Sequence, residues 1–167
     1  MTHKIIGKYI KELKFNIPNP KTFFLLAKDI ANYKINIDIK SIQVKQNIIE
    51  VLTSLKLSPV KNEFEKIDTK IVFSTIVEFS NKSLAKEEME KAILVDIPFK
   101  IYPELRQIFI FLFKNSGFKE IKINETVDFE KLYKMRKVQL KFFFNSNFMK
   151  SLCFFISASE IFKISLL

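Results

Sequence analysis

An α+β domain, a four-stranded antiparallel sheet followed by two principal helices, is the fold this sequence predicts. Four segments in the first half alternate apolar and polar residues with period two. Helical spacing and helix-stop residues gather in the second half. The second, third and fourth strand patterns follow one another with no helix-length segment between them. Successive strands joined in this way pair antiparallel, with one face wet.

The first strand pattern runs from Lys8 to Asn16, with Tyr9, Leu13 and Phe15 facing one way and Lys8, Glu12, Lys14 and Asn16 the other. It stops at Ile17-Pro18-Asn19-Pro20, where two prolines remove ladder donors. A crossover follows, carrying Phe23, Phe24 and Leu26. In the second strand Ile35, Ile37 and Ile39 alternate with polar residues, and the shift to Ile42 and Val44 predicts a bulge near Ser41. Ile49, Val51, Thr53, Leu55 and Leu57 define the third strand, and Ile71, Phe73, Thr75, Val77 and Phe79 the fourth. Gln46-Asn47 and the stretch from Ser58 to Asp68 are short enough for hairpins.

Ser83 is placed to cap a short helix from Leu84 to about Leu94, which Pro98 ends. Pro103 suits the first position of a stronger helix, and Gly117 the left-handed position that terminates it after Ser116. Asp128 caps a last helix from Phe129 to about Lys137. On the Pro103 helix, Leu105, Ile108, Phe109 and Leu112 form one stripe, and Ile110, Phe111 and Phe113 widen it past half the circumference. One sheet face cannot cover so wide an arc. The expectation is an oligomer interface through Ile108, Phe109, Leu112 and Phe113.

With two glycines, one histidine (His3, in a terminus expected to fray) and one cysteine (Cys153), the chain has no material for a glycine-rich phosphate loop, a disulfide framework or a cysteine-histidine metal site. Catalytic: none, metal: none and cofactors: none are the readings that follow. The single thiol and the charged N-terminus, without a secretory apolar core, read as cytoplasmic. Residues 1–137 form the predicted domain. Residues 138–167 are an apolar, phenylalanine-rich extension, which raises an alternative: a peripheral membrane-associated protein resting on anionic lipid. The net charge of +10 is dispersed over single lysines in alternating strands, which reads as a solvated surface and no nucleic-acid partner.

Three stretches carry a resemblance. KYIKELKFNIPNP (Lys8 to Pro20), ILVDIPFKIYPELRQIF (Ile93 to Phe109) and GFKEIKINETVDFEKLY (Gly117 to Tyr133) resemble, in order and spacing, motifs of the SecB family of protein-export chaperones. The resemblance implies a cytosolic, ATP-independent holdase, a homotetramer built as a dimer of dimers, that binds unfolded preproteins and delivers them to the SecA motor. It implies client contacts at Phe118, Ile121 and Ile123 in the loop between the helices, at Phe129 and Tyr133 on the last helix, and at Phe23, Phe24 and Leu26 in the crossover. Glu12 falls on the acidic position of the motor-facing strand, whereas Asn16 stands where a second carboxylate is usual. Val138 to Leu167 replaces the family's polar tail.

Overall fold

The computed structural model describes residues 3–28, 33–60, 67–80, 85–118, 121, 123–145 and 164–165, with side chains on the last helix described as far as Lys137. Four long strands form the sheet: β1 (His3–Asn16), β2 (Tyr33–Lys45), β3 (Ile48–Pro59) and β4 (Asp68–Phe79). A two-residue strand, β5 (Ile164–Ser165), pairs with Lys34 and Ile35 at the edge of β2, so the order is β1-β4-β3-β2-β5, all antiparallel. Helix α1 (Pro20–Lys28) follows β1. After β4 come α2 (Lys86–Lys91), a π-helical turn (Ala92–Asp96), α3 (Ile97–Asn115) and α4 (Phe129–Asn145).

The odd-numbered side chains of β2, β3 and β4 face the helices. Ile35, Ile37, Val51, Leu55, Leu57, Ile71, Phe73 and Val77 are buried there against Ile97, Ile101, Leu105, Phe109 and Phe113 of α3. Their period-two spacing is the physical reason for the strands, because only that spacing turns every apolar side chain to one face. The even-numbered side chains form an open face, half-exposed and mostly polar.

Sequence and structure differ in several places. The crossover carrying Phe23, Phe24 and Leu26 is helix α1. Asn19 Oδ1 accepts the Thr22 N–H at 2.8 Å, an N-cap, and Pro20 takes the first helical position, where its missing donor costs nothing. His3 does not fray but is half-buried at the start of β1, opposite Phe79, with ring centroids 5.9 Å apart.

Register shifts between Ile5 and Gly7 and between Ile10 and Glu12 reset the facing of β1. Tyr9 therefore lies on the open face with Glu12, while Lys8 turns to the helix side and pairs with Glu104. No bulge lies at Ser41. The shift in β2 falls between Gln43 and Lys45, and Ile42 and Val44 stay exposed.

Pro98 does not stop the second-half helix, and Pro103 lies inside α3. The π-helical turn supplies the slack, since Ile97 N–H reaches back to Ala92 O, a five-residue span. Ser83 lies outside the described residues, and α2 starts after Ala85 without a side-chain cap. The last helix continues eight residues past Lys137 to Asn145. Beyond it, the extension lies outside the described residues except for β5. Among the described residues no helix is long and apolar enough to cross a membrane.

Candidate functional site

The connection from α3 to α4 is built from a helix end outward. Gly117 takes φ = +94°, a conformation that glycine adopts without a Cβ clash. It allows Phe118 N–H to bond Phe113 O at 3.2 Å and Gly117 N–H to bond Lys114 O at 3.3 Å, the paired bonds of a Schellman end. The apolar contact that accompanies this motif is Phe118 on Phe113, ring centroids 5.3 Å apart. Phe23 of α1 completes the cluster, 4.9 Å from the Phe118 ring.

Two side chains of α3 then tie down the rest of the connection. Arg106 Nε donates to Ile123 O at 2.9 Å, and Tyr102 Oη donates to Asn124 O at 2.7 Å. Burial pushes the Tyr102 hydroxyl pKa up, so it stays a donor through the neutral range. Held at two successive carbonyls, the backbone turns Ile121 and Ile123 into the core. Asp128 Oδ1 accepts the Lys131 N–H at 2.8 Å and caps α4 as expected. Phe129 packs edge-on to Tyr102, with centroids 6.1 Å apart.

This geometry corrects the contact residues expected from sequence. Phe118, Ile121, Ile123, Phe129, Tyr133 and Leu26 are all buried in the chain's own core, and Phe23 is half-buried against it. Loop position did not leave these aromatic and aliphatic groups free, because the Schellman end and the Arg106 and Tyr102 bonds fold the loop onto α3. Only Phe24, 68% exposed, stands out from the surface. A residue that sequence reasoning passed over stands out equally: Phe99, 59% exposed, on the first turn of α3. With Val95, Thr126, Val127, Asp128, Phe129 and Glu130 it lines a shallow groove of about 330 Å³. Its signal in the sequence was its place between Pro98 and Pro103, in what read as a helix break.

The interface expectation needs the same correction. Phe109 and Phe113 are 1% and 0% exposed within one chain, stacked 4.9 Å apart under the sheet, and have no surface left to offer a partner. Ile108 and Leu112 are half-buried on the flank of the helix, and Phe111 is 63% exposed.

Glu12 lies on the open face of β1, between Lys70 at 2.7 Å and Lys14 at 3.4 Å. The hydrogen bond from Lys70, then the second lysine, holds its carboxyl below the ordinary carboxylate range. Beside it is a carboxylate that the sequence did not single out. Glu50 of β3, 8% exposed, accepts bonds from Ser74 Oγ at 2.7 Å and from Tyr9 Oη and Lys11 Nζ at 2.9 Å. Lys11 is the residue skipped by the register shift, so the bulge aims its ammonium at Glu50.

Comparison with known proteins adds a lineage to this geometry. The family described as preprotein translocase subunit SecB matches residues 1–140. A protein assigned as protein-export protein SecB in Pelagibacter ubique (strain HTCC1062) is 42% identical over 134 residues, covering 80% of this chain and 96% of that protein. The protein-export protein SecB of Rhodospirillum rubrum is 25% identical over 135 residues, 79% of this chain and 80% of that one. Among solved structures, the SecB-like chaperone of Mycobacterium tuberculosis, in complex with a ChAD peptide from the HigA1 antitoxin, is similar with a TM-score of 0.49 and 11% identity. The match covers 74% of this chain and 90% of that one.

Proposed function

From the premise that this chain belongs to the SecB family of protein-export chaperones, we propose that it is a cytoplasmic, ATP-independent holdase that keeps unfolded preproteins loose and passes them to SecA. Beside family membership, one observation carries the holdase reading. Phe24 on α1 and Phe99 on α3 are large aromatic side chains left in water, the second at the rim of the shallow groove that it lines. Apolar burial is non-directional and returns roughly 25 cal/mol per Å², so such a surface holds extended clients without reading their order. The edge of β2 suits the backbone of a client, since the chain's own Ile164–Ser165 already pairs there as an added strand. The buried set of Phe118, Ile121, Ile123, Phe129, Tyr133 and Leu26 acts beneath this surface, as the packing that fixes Phe24 and Phe99 in place.

Assembly as a homotetramer belongs to the same proposal. β1 ends the sheet, and Ile6, Tyr9, Ile10 and Leu13 along it are each nearly half exposed. Glu104, Ile108 and Phe111 share the flank of α3 that Lys8 ties to β1. An unpaired strand edge beside an exposed aromatic fits a second copy of the chain. Delivery to SecA is assigned to the open face, where Glu12 takes part as a carboxylate already shared by two lysines.

The holdase test is the capture of a chemically unfolded protein, followed by light scattering. Phe24→Ser with Phe99→Ser should lose most of the suppression of aggregation while keeping the wild-type circular dichroism spectrum and melting point. Phe118→Ser serves as the contrast, since removing a buried aromatic should cost about 3–5 kcal/mol of stability. Full suppression by the double variant would move the client surface away from these two residues.

A further inference from the structure

Across the open face the register places three lysines side by side. Lys14 of β1 stands opposite Lys70 of β4, and Lys70 stands opposite Lys56 of β3. Asn36 of β2 completes this transverse line, and Lys34, one open-face position further along β2, lies diagonal to Lys56. Adjacent strands are about 4.8 Å apart, so like charges directly opposite one another repel and lower the stability of the sheet. Glu12 is the carboxylate that bridges Lys14 and Lys70. Among the described residues, neither Lys56 nor Lys34 has a carboxylate in ion-pair reach, and the exposed Asp68, next along β4, forms no ion pair with the row. The remaining open-face carboxylates are engaged elsewhere: Glu50 by Lys11, Asp38 by Lys40 and Glu78 by Asn47.

We propose that this lysine row, Lys14–Lys70–Lys56 with Lys34, is a docking site for an acidic polypeptide segment of a partner protein. Charge complementarity selects an anion, and the row's surroundings select its kind. Asn16, Asn36, Ser54 and Ser58 flank it on the same face, which offers hydrogen bonds to carboxylate and peptide groups. A lipid surface is engaged by aromatic or aliphatic groups that insert beside the lysines, and single-stranded nucleic acid by aromatic stacking. The exposed Tyr9 and Ile42 of this face lie further along the strands, opposite Ser74 and Glu50. The site sits on rigid strand backbone, so a bound segment orders few protein side chains beyond the lysines themselves. The inference stands independently of where clients bind; because Glu12 lies between Lys14 and Lys70 of the row, an acidic segment and a motor contact through Glu12 would compete for this face.

The test is fluorescence anisotropy of a labelled glutamate-rich peptide on the full chain, with a lysine-rich peptide and a neutral peptide of equal length beside it. The glutamate-rich peptide should bind best and weaken as salt is raised. Lys56→Gln with Lys70→Gln should weaken it about three- to tenfold, whereas Lys28→Gln with Lys134→Gln, away from the face, should leave it within about twofold. Glu12→Gln should tighten it, because Lys14 and Lys70 are then released to the ligand. Lys56→Gln alone should melt at or above the wild-type temperature, since it relieves repulsion without removing the bond from Lys70 to Glu12. Equal binding of the neutral peptide, or unchanged affinity in the row variant, would overturn the proposal. So would loss of binding to phosphatidylserine vesicles in the row variant while its peptide affinity stayed the same, which assigns the row to membranes.

Discussion

Glu50 shows at the scale of one residue how a polar group survives near full burial on a sheet face. Three donors, from Ser74, Tyr9 and Lys11, converge on its two oxygens, and a carboxylate so bonded stays charged. The bond from Lys11, followed by that from Ser74, lowers its pKa below the ordinary value near 4.3, against the upward push of burial. A group whose folded pKa is depressed adds stability above its unfolded pKa and loses it as pH falls through the folded pKa. Acid unfolding should therefore steepen below about pH 4, and Glu50→Gln should flatten that part of the curve. At neutral pH the same substitution should cost about 1–3 kcal/mol, since one amide cannot accept all three bonds. A chemical denaturation series from pH 3 to 7 checks both; a parallel offset between the two proteins across that range would show that Glu50 does not titrate on unfolding.

Elements divide into those whose residues announce them and those fixed by contacts distant in sequence. Strands β3 and β4 were legible because nearly every second residue is apolar, and the end of α3 and the start of α4 because Gly117 and Asp128 are residues with one strong local use. Helix α1 was not legible despite its Asn19-Pro20 start, since nine residues between a proline turn and a strand read equally well as a crossover. The bulges in β1 were hidden for a different reason: they depend on Glu50 across the sheet and Glu104 on α3, which no local window contains. The candidate client residues other than Phe24 pack together in or against the chain's own core, a burial that their positions in the sequence did not reveal. What buries them is the turn after α3, and Gly117 is where it can be broken. An added Cβ meets the Phe23 ring at 3.4 Å in a left-handed conformation that already disfavours side chains. Gly117→Ala should cost about 1–2 kcal/mol, with a melting point lower by roughly 3–8 °C. It should also expose Phe118, raising the fluorescence of a hydrophobic dye. An unchanged melting point would mean that the α3 end is held without the Schellman bonds.

For the whole molecule, the question is what covers the apolar flank that the single chain leaves in water. Among the described residues, several large apolar side chains remain in water outside the core that the sheet and its helices enclose. The surplus is not spread evenly. Ile6, Ile10 and Leu13 run along the edge strand, and Phe111 stands on the α3 flank that Lys8 and Glu104 bring against that strand. An edge strand with this composition pairs or aggregates unless a partner takes it. In the proposed tetramer, self-association about a two-fold axis satisfies the edge and the aromatic together, and a second contact joins two such dimers. Of the four residues expected to drive this, Phe109 and Phe113 face the sheet while Ile108 and Leu112 lie on the flank, because helical spacing reports an apolar arc but not which part of it the sheet consumes. Phe109 and Phe113 are spent on the core, so their loss should unfold the chain instead of dividing the oligomer. Leu13→Lys with Phe111→Asp should do the reverse, yielding folded species of half the native mass or less by light scattering while the far-ultraviolet spectrum is kept. A tetramer that survives both substitutions would place its contacts elsewhere than on the β1 edge and the outward flank of α3.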